Sequence, residues 1–138
     1  MTGWQGGGVD ERRIVVGAVL VDGWGRVLAA ERTDGGWEFP GGKVEPGESD
    51  PQALVRECRE ELGVPVRLDG TLEGSQPIAD SGYLLRLWTG RIVHGEPAPL
   101  VHARLRWVSA TELNGLDWLP ADRPFLPQVR THLRSVLP

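Results

Sequence analysis

GGKVEPGESDPQALVRECREELGV, from Gly41 to Val64, is the stretch on which the reading of this chain turns. Its first part is dense in glycine and proline and reads as loop, and its second part carries helical spacing. Ser49 is a suitable N-cap, and Gln52 three residues on completes a capping-box pattern. Pro51 is tolerated in a first turn, and Gly63 suits the left-handed position that ends a helix. Between these limits Leu54, Val55, Cys58 and Leu62 share one apolar stripe, which predicts a helix docked on a sheet. Glu57, Glu60 and Glu61 cluster within about 100° of one helix face. Like charges that close raise one another's pKa and cost stability when no cation joins them. Clusters of oxygen donors are what Mg²⁺ and Mn²⁺ select, and Mg²⁺ readily adds phosphate oxygens as further ligands. A solvated acidic face is the plain alternative for the triplet taken alone.

The residues around the triplet favour the metal. Glu48 stands eight positions before Arg56, so the two are placed to pair and brace the loop against the helix. Gly41 and Gly42 let the backbone approach a ligand closely and offer a carbonyl to a metal.

Outward from this stretch the chain reads as alternating elements. Arg13–Val21 is apolar and β-branched and predicts a buried strand. Asp22-Gly23-Trp24-Gly25 is turn chemistry, and Arg26–Arg32 suits a returning strand. Thr33–Gly47 predicts loop. Val66–Leu72, Tyr83–Val93 and Leu105–Val108 predict three further strands. Ser109–Glu112 opens a short helical turn, and Pro124–Leu137 predicts a C-terminal helix. A mixed sheet with helices on both faces is the natural packing.

At 138 residues the chain suits one domain with a real core, placed at 12–138, preceded by a flexible tail over 1–11. Apolar residues at 40% and charged residues at 25% are ordinary for a globular protein. No apolar run reaches the roughly 18 residues of a membrane span, and the N-terminus lacks the layout of a signal peptide. The single cysteine, Cys58, excludes an internal disulfide and fits the cytoplasm. A net charge of −4 argues against a nonspecific nucleic-acid binder but not against a small phosphate ligand reached through metal ions.

The pattern Gly42-x5-Glu48-x7-Arg56-Glu57-Cys58-Arg59-Glu60-Glu61-Leu62-Gly63-Val64 resembles the Nudix box at every fixed position. Cys58 stands where a bulky aliphatic is usual, and a small hydrophobe still packs there. Trp37–Glu48 and Trp118–Pro124 resemble the corresponding segments of MutT-type nucleoside triphosphate pyrophosphohydrolases. The resemblance implies an α/β/α sandwich with a central mixed sheet and cleavage of nucleoside triphosphates to monophosphate and pyrophosphate. It implies Mg²⁺, with Mn²⁺ able to substitute, held by Glu57, Glu60, Glu61 and the Gly41 carbonyl. Some relatives take the proton from water with a glutamate ahead of a Trp-Val segment. Pro97–Thr111 holds no acid, so Glu60 or Glu57 is the expected base, with Arg56 beside them. Arg32 and Lys43 are expected at the nucleotide, with Phe39 and Leu119 walling a pocket. Asp122 is expected at the base edge, or else as a helix cap. As a carboxylate it only accepts, which suits the exocyclic amine of cytosine or of adenine and can also serve guanine through its N1–H and 2-amino donors, so (d)CTP and 8-oxo-dGTP are the leading expected substrates. Trp37 and Trp118 flank the expected cleft and are candidates for stacking on a base, whereas the three histidines show no ligand spacing and are assigned no role. A monomer or weak homodimer acting on a small nucleotide is expected, with no nucleic-acid polymer or membrane as partner. Hydrolysis of ADP-ribose or another nucleoside diphosphate derivative is the alternative activity. A nucleotide sensor without turnover is the alternative outside catalysis.

Overall fold

The structure, a computed structural model, describes residues 13–137. The tail expected over 1–11, and Trp4 with it, lie outside the described residues. In chain order the strands are β1 (Ile14–Leu20), β2 (Val27–Glu31), β3 (Trp37–Glu38), β4 (Gly41–Lys43), β5 (Val66–Thr71), β6 (Gln76–Pro77), β7 (Leu84–Ile92) and β8 (Arg104–Val108). The helices are α1 (Asp50–Leu62), between β4 and β5, and α2 (Leu126–Ser135) at the end.

β1 runs parallel to β7 and antiparallel to β4, inside a five-stranded sheet ordered β4-β1-β7-β5 with β6 also on β7. A second, three-stranded sheet is ordered β3-β2-β8. The β1–β2 hairpin joins the two through the Val21–Val27 bridge. Alternation along β1 assigns its two faces. Ile14, Val16, Ala18 and Leu20 pack with Ala53, Leu54, Cys58 and Leu62 of α1. Val19 and Val21 pack with Val129 and Leu133 of α2. The layering is therefore helix, strands, helix, with the β layer divided into two sheets. Each fully buried leucine such as Leu54 or Leu62 contributes roughly 2 kcal/mol.

The ends of α1 form as the local sequence dictates. Ser49 accepts from the Gln52 amide while the Gln52 side chain accepts from the Ser49 amide, and Gly63 ends the helix at φ 73°. The segment 33–47 differs from expectation, because β3 and β4 lie within it. These strands exist by tertiary pairing rather than propensity. β4 completes the edge beside β1, where Gly41 sits so close to Gly17 that a Cβ would lie 2.8 Å from the Gly17 Cα and nearer still to the Val16 carbonyl. At the C-terminus, Arg123–Phe125 forms a 3-10 turn and α2 proper starts two residues later than expected.

Candidate active site

α1 presents its acidic face beside β4. Arg56 organises this face: its Nε donates to Glu48 Oε2 at 2.7 Å and its Nη2 to Glu48 Oε1 at 3.0 Å. Its Nη1 donates to Glu57 Oε2 and to Glu60 Oε1, both at 3.1 Å. Nη2 also reaches the Lys43 carbonyl at 3.1 Å, so one guanidinium ties the loop, β4 and the helix together. The Arg56 hydrogen bonds hold the Glu48 carboxyl down at about 2, and the surrounding carboxylates hold the guanidinium charged.

The three box acids differ in setting. Glu60 is open, with 58% of its side chain exposed, whereas Glu57 is 16% exposed. Burial pushes Glu57 upward against the pull of Arg56. Glu57 fits because Gly42 has no side chain: a Cβ there would lie 2.8 Å from Glu57 Oε1 and nearer still to its carboxyl carbon. Glu61 turns the other way, and its Oε1 accepts from the Gly41 amide at 3.1 Å. Burial pushes Glu61 up to about 7, with the Gly41 amide and His102 pulling back.

The acids do not form a ready-made cage: among the described residues no three metal-ligating side chains gather at one point. Arg56 draws Glu57 and Glu60 to itself, and Glu61 is held by Gly41. The donor set is nonetheless all oxygen and crowded with negative charge, which fits a hard divalent cation competing with Arg56 for these carboxylates.

On the Gly41 side of Glu61 lies a cavity of about 450 Å³ whose wall includes Gly41, Gly42 and Glu61. Phe39, Leu119, Asp122, Arg32 and Lys43 also line it, so it brings together the residues that sequence reading had placed at the nucleotide. Phe39 is buried against Trp118, their ring centroids 4.6 Å apart. Arg32 is held by Asp34 through bonds of 2.8 and 3.1 Å, and approaches Glu38 at 3.6 Å. Lys43 places its Nζ 4.7 Å from the Tyr83 ring centroid. A larger hollow of about 540 Å³ lies over Val44–Glu48, but its nearest box residue, Glu48, is already committed to Arg56.

Asp122 precedes the 3-10 turn but makes no side-chain cap bond; it is 4% exposed and turned into the cavity. The helix-cap alternative therefore does not describe it. Neither Trp37 nor Trp118 lines the cavity. Both are buried, and the Trp118 indole N–H donates to the Leu113 carbonyl at 2.7 Å. The bulk of these rings wins a place in the core, and Phe39 is the aromatic left facing the space.

Two residues here escape sequence reading. Glu38 lines the cavity, and its Oε2 lies 2.9 Å from His102 Nε2. That bond raises the imidazole above its ordinary value against the opposing effect of burial, while its Nδ1 is buried without a protein partner among the described residues. Glu38 and His102 are 64 positions apart and follow no spacing rule. The one local signal was the placement of Glu38 directly before Phe39-Pro40-Gly41-Gly42.

Comparison with known proteins agrees with this geometry. The NUDIX domain family matches residues 11–129. A Mycobacterium tuberculosis relative carrying the provisional name 8-oxo-dGTP diphosphatase 2 is 40% identical over 130 residues, spanning 89% of this chain and 92% of its own. The CTP pyrophosphohydrolase of Escherichia coli is 39% identical over 122 residues, spanning 83% and 90%. Among solved structures, the E. coli ORF135 protein superposes with a TM-score of 0.73 at 37% identity, covering 91% of this chain and 93% of that one. A MutT Nudix hydrolase from Burkholderia pseudomallei gives a TM-score of 0.72 at 29% identity, covering 85% and 97%. With its box intact on α1 and a cavity opening beside it, the chain belongs to the Nudix hydrolase family.

Proposed function

We propose that residues 12–138 form one Nudix domain that hydrolyses nucleoside triphosphates to monophosphate and pyrophosphate in the cytoplasm, as a monomer or weak homodimer. One observation carries this reading: Glu61 of the acidic face of α1, and Gly41 and Gly42 of β4 packed against that face, also wall the 450 Å³ cavity. A ligand with its base in the cavity therefore has its phosphates directed at the acids. Such a polyanion enters an acidic pocket only with cations between.

Nudix hydrolases use a divalent metal, and we assign Mg²⁺ here to Glu57, Glu60, Glu61 and the Gly41 carbonyl, with Mn²⁺ able to substitute. Once bound, the cation supplies charge against the phosphates and acidifies water for in-line attack. The chain's own residues do the rest. Arg56 positions Glu57 and Glu60, one of which receives the proton from the attacking water. Arg32 and Lys43, at the cavity wall, meet the phosphates. Phe39 and Leu119 hold the faces of the base, and Asp122 reads its edge. Relatives named for 8-oxo-dGTP and for CTP support these two nucleotides as the substrates to test first.

Purified protein with Mg²⁺ is assayed for pyrophosphate against 8-oxo-dGTP, the ordinary dNTPs and NTPs, and ADP-ribose. Release from a triphosphate, lost in Glu60→Gln with an unchanged circular dichroism spectrum, is the expected result. Turnover of ADP-ribose alone, or near-normal activity in Glu60→Gln, refutes the assignment.

A further inference from the structure

His102 lies on the stretch between β7 and β8, and the backbone on either side of it is tied down. The Leu100 amide donates to the Glu61 carbonyl at 3.1 Å, and the Ala103 amide donates to the Glu31 carbonyl at 2.8 Å. The ring is thereby held between the end of α1 and the end of β2, with its side chain 5% exposed. Its Nε2 lies 2.9 Å from Glu38 Oε2, and among the described residues the ring makes no other hydrogen bond. A carboxylate only accepts, so Nε2 donates, as it does both in the charged ring and in the neutral ring with its proton there.

Glu38 stands between His102 and Arg32. Its other oxygen, Oε1, is 3.6 Å from Arg32 Nη1, beyond hydrogen-bond length. Arg32 gives its Nε and Nη2 to Asp34, at 2.8 and 3.1 Å, so Nη1 is the one guanidinium nitrogen left without a hydrogen bond among the described residues. Arg32 and Glu38 both line the cavity. An unrestrained carboxylate this near a guanidinium closes to a charge-assisted bond of about 2.7–2.9 Å. The bond from His102 holds Glu38 back from that closure.

We propose that His102 is a positioning residue: by holding Glu38, it keeps Arg32 Nη1 available to a substrate phosphate. The inference rests on the reading that places Arg32 at the phosphates. Without the His102 donor, Glu38 closes on Arg32 and competes with the polyphosphate for the same N–H groups. The loss falls on binding and not on the chemical step, because the bonds that Arg56 makes to Glu48, Glu57 and Glu60 involve neither Glu38 nor His102.

The test is a mutant cycle on the two side chains. In His102→Ala, KM for dCTP and for 8-oxo-dGTP is expected to rise on the order of tenfold, with kcat within about twofold of wild type. In a Glu38→Gln background the same change is expected to leave KM within about twofold, since an uncharged amide competes weakly for a guanidinium. His102→Gln, whose amide nitrogen reaches as far as Nε2, is expected to restore most of the wild-type KM. His102→Asn, too short to reach Glu38, is expected to repeat the rise and serves in place of His102→Ala should that variant not fold. Binding is read without metal from dCMP and deoxycytidine added to the protein with chelator. Loss of the His102 donor is expected to weaken dCMP and to leave deoxycytidine, which has no phosphate, unchanged. An equal rise of KM in both backgrounds, an unchanged KM in His102→Ala, or equal weakening of nucleoside and nucleotide overturns the inference. If no triphosphate is hydrolysed but dCMP binding follows the cycle, the hydrolase reading fails and this one stands. Hydrolysis with KM indifferent to His102 defeats this one alone.

Discussion

Replacing Gly42 by alanine separates the chemistry of the site from its stability. The substitution adds one methyl group, and it falls on the carboxyl group of Glu57, whose Oε1 would be 2.8 Å away and whose carbon would be closer. Restoring ordinary contact requires that carboxylate to retreat by about 1 Å. The obstacle is the end of a flexible side chain rather than backbone, and the φ of Gly42 lies outside the left-handed range, so the fold accommodates the change. Losing the Arg56–Glu57 bond costs about 1 kcal/mol, and restricting the unfolded chain at Gly42 returns about 0.4–1 kcal/mol. Stability in urea should therefore stay within about 1 kcal/mol of wild type. Activity should not, because misplacing a catalytic group by about 1 Å costs on the order of 100-fold. Urea denaturation with chelator present, alongside steady-state pyrophosphate release, measures both quantities on one preparation. If Gly42→Ala keeps kcat/KM within about threefold, Glu57 does not work where the structure puts it and the metal assignment loses that ligand.

Gly41→Ala is the contrasting case: its methyl group meets the β1 backbone at Val16 and Gly17, so the β1–β4 pairing must open and stability should fall by about 2 kcal/mol or more, read from the same urea curves. Glu61 has a raised folded pKa, so metal-free protein binds more protons folded than unfolded between about 4.5 and about 7. Its contribution to stability is full below that window and lost as pH rises through it; Glu61→Gln should flatten the decline, and an unchanged slope in thermal melts with chelator would contradict the burial that raises it. Cys58 is fully buried and burial pushes its thiol up to about 12, so a thiol reagent at neutral pH should label it only on unfolding. Labelling faster than global unfolding would show that α1 detaches locally.

Much of α1 was legible because its determinants are local. Ser49, Gln52 and Gly63 act within a turn of the groups they satisfy, and the stripe from Leu54 to Leu62 needs only a surface to meet. Clustering of Glu57, Glu60 and Glu61 follows from helix geometry alone, and the pairing of Glu48 with Arg56 was readable from their spacing. β3 and β4 were not legible, since a Trp-Glu pair and a Gly-Gly-Lys triplet are too short to show a strand preference until β2 and β1 provide edges. The tryptophans misled for a related reason: residue type shows that an aromatic is wanted but not which face of the chain closes over it.

Sequence alone settled the acidic helix, its caps, and the family to which the box belongs. The fold decided that Gly41, Gly42 and Glu61 wall the same cavity as Asp122, and that Asp122 lies buried near Glu38 with no cation to hold its charge. A pattern of residue types fixes what each group is able to donate, accept or bind. Only the packed chain fixes how much water each group loses and which charges it must face, and those two quantities determine the protonation state in which it meets a ligand.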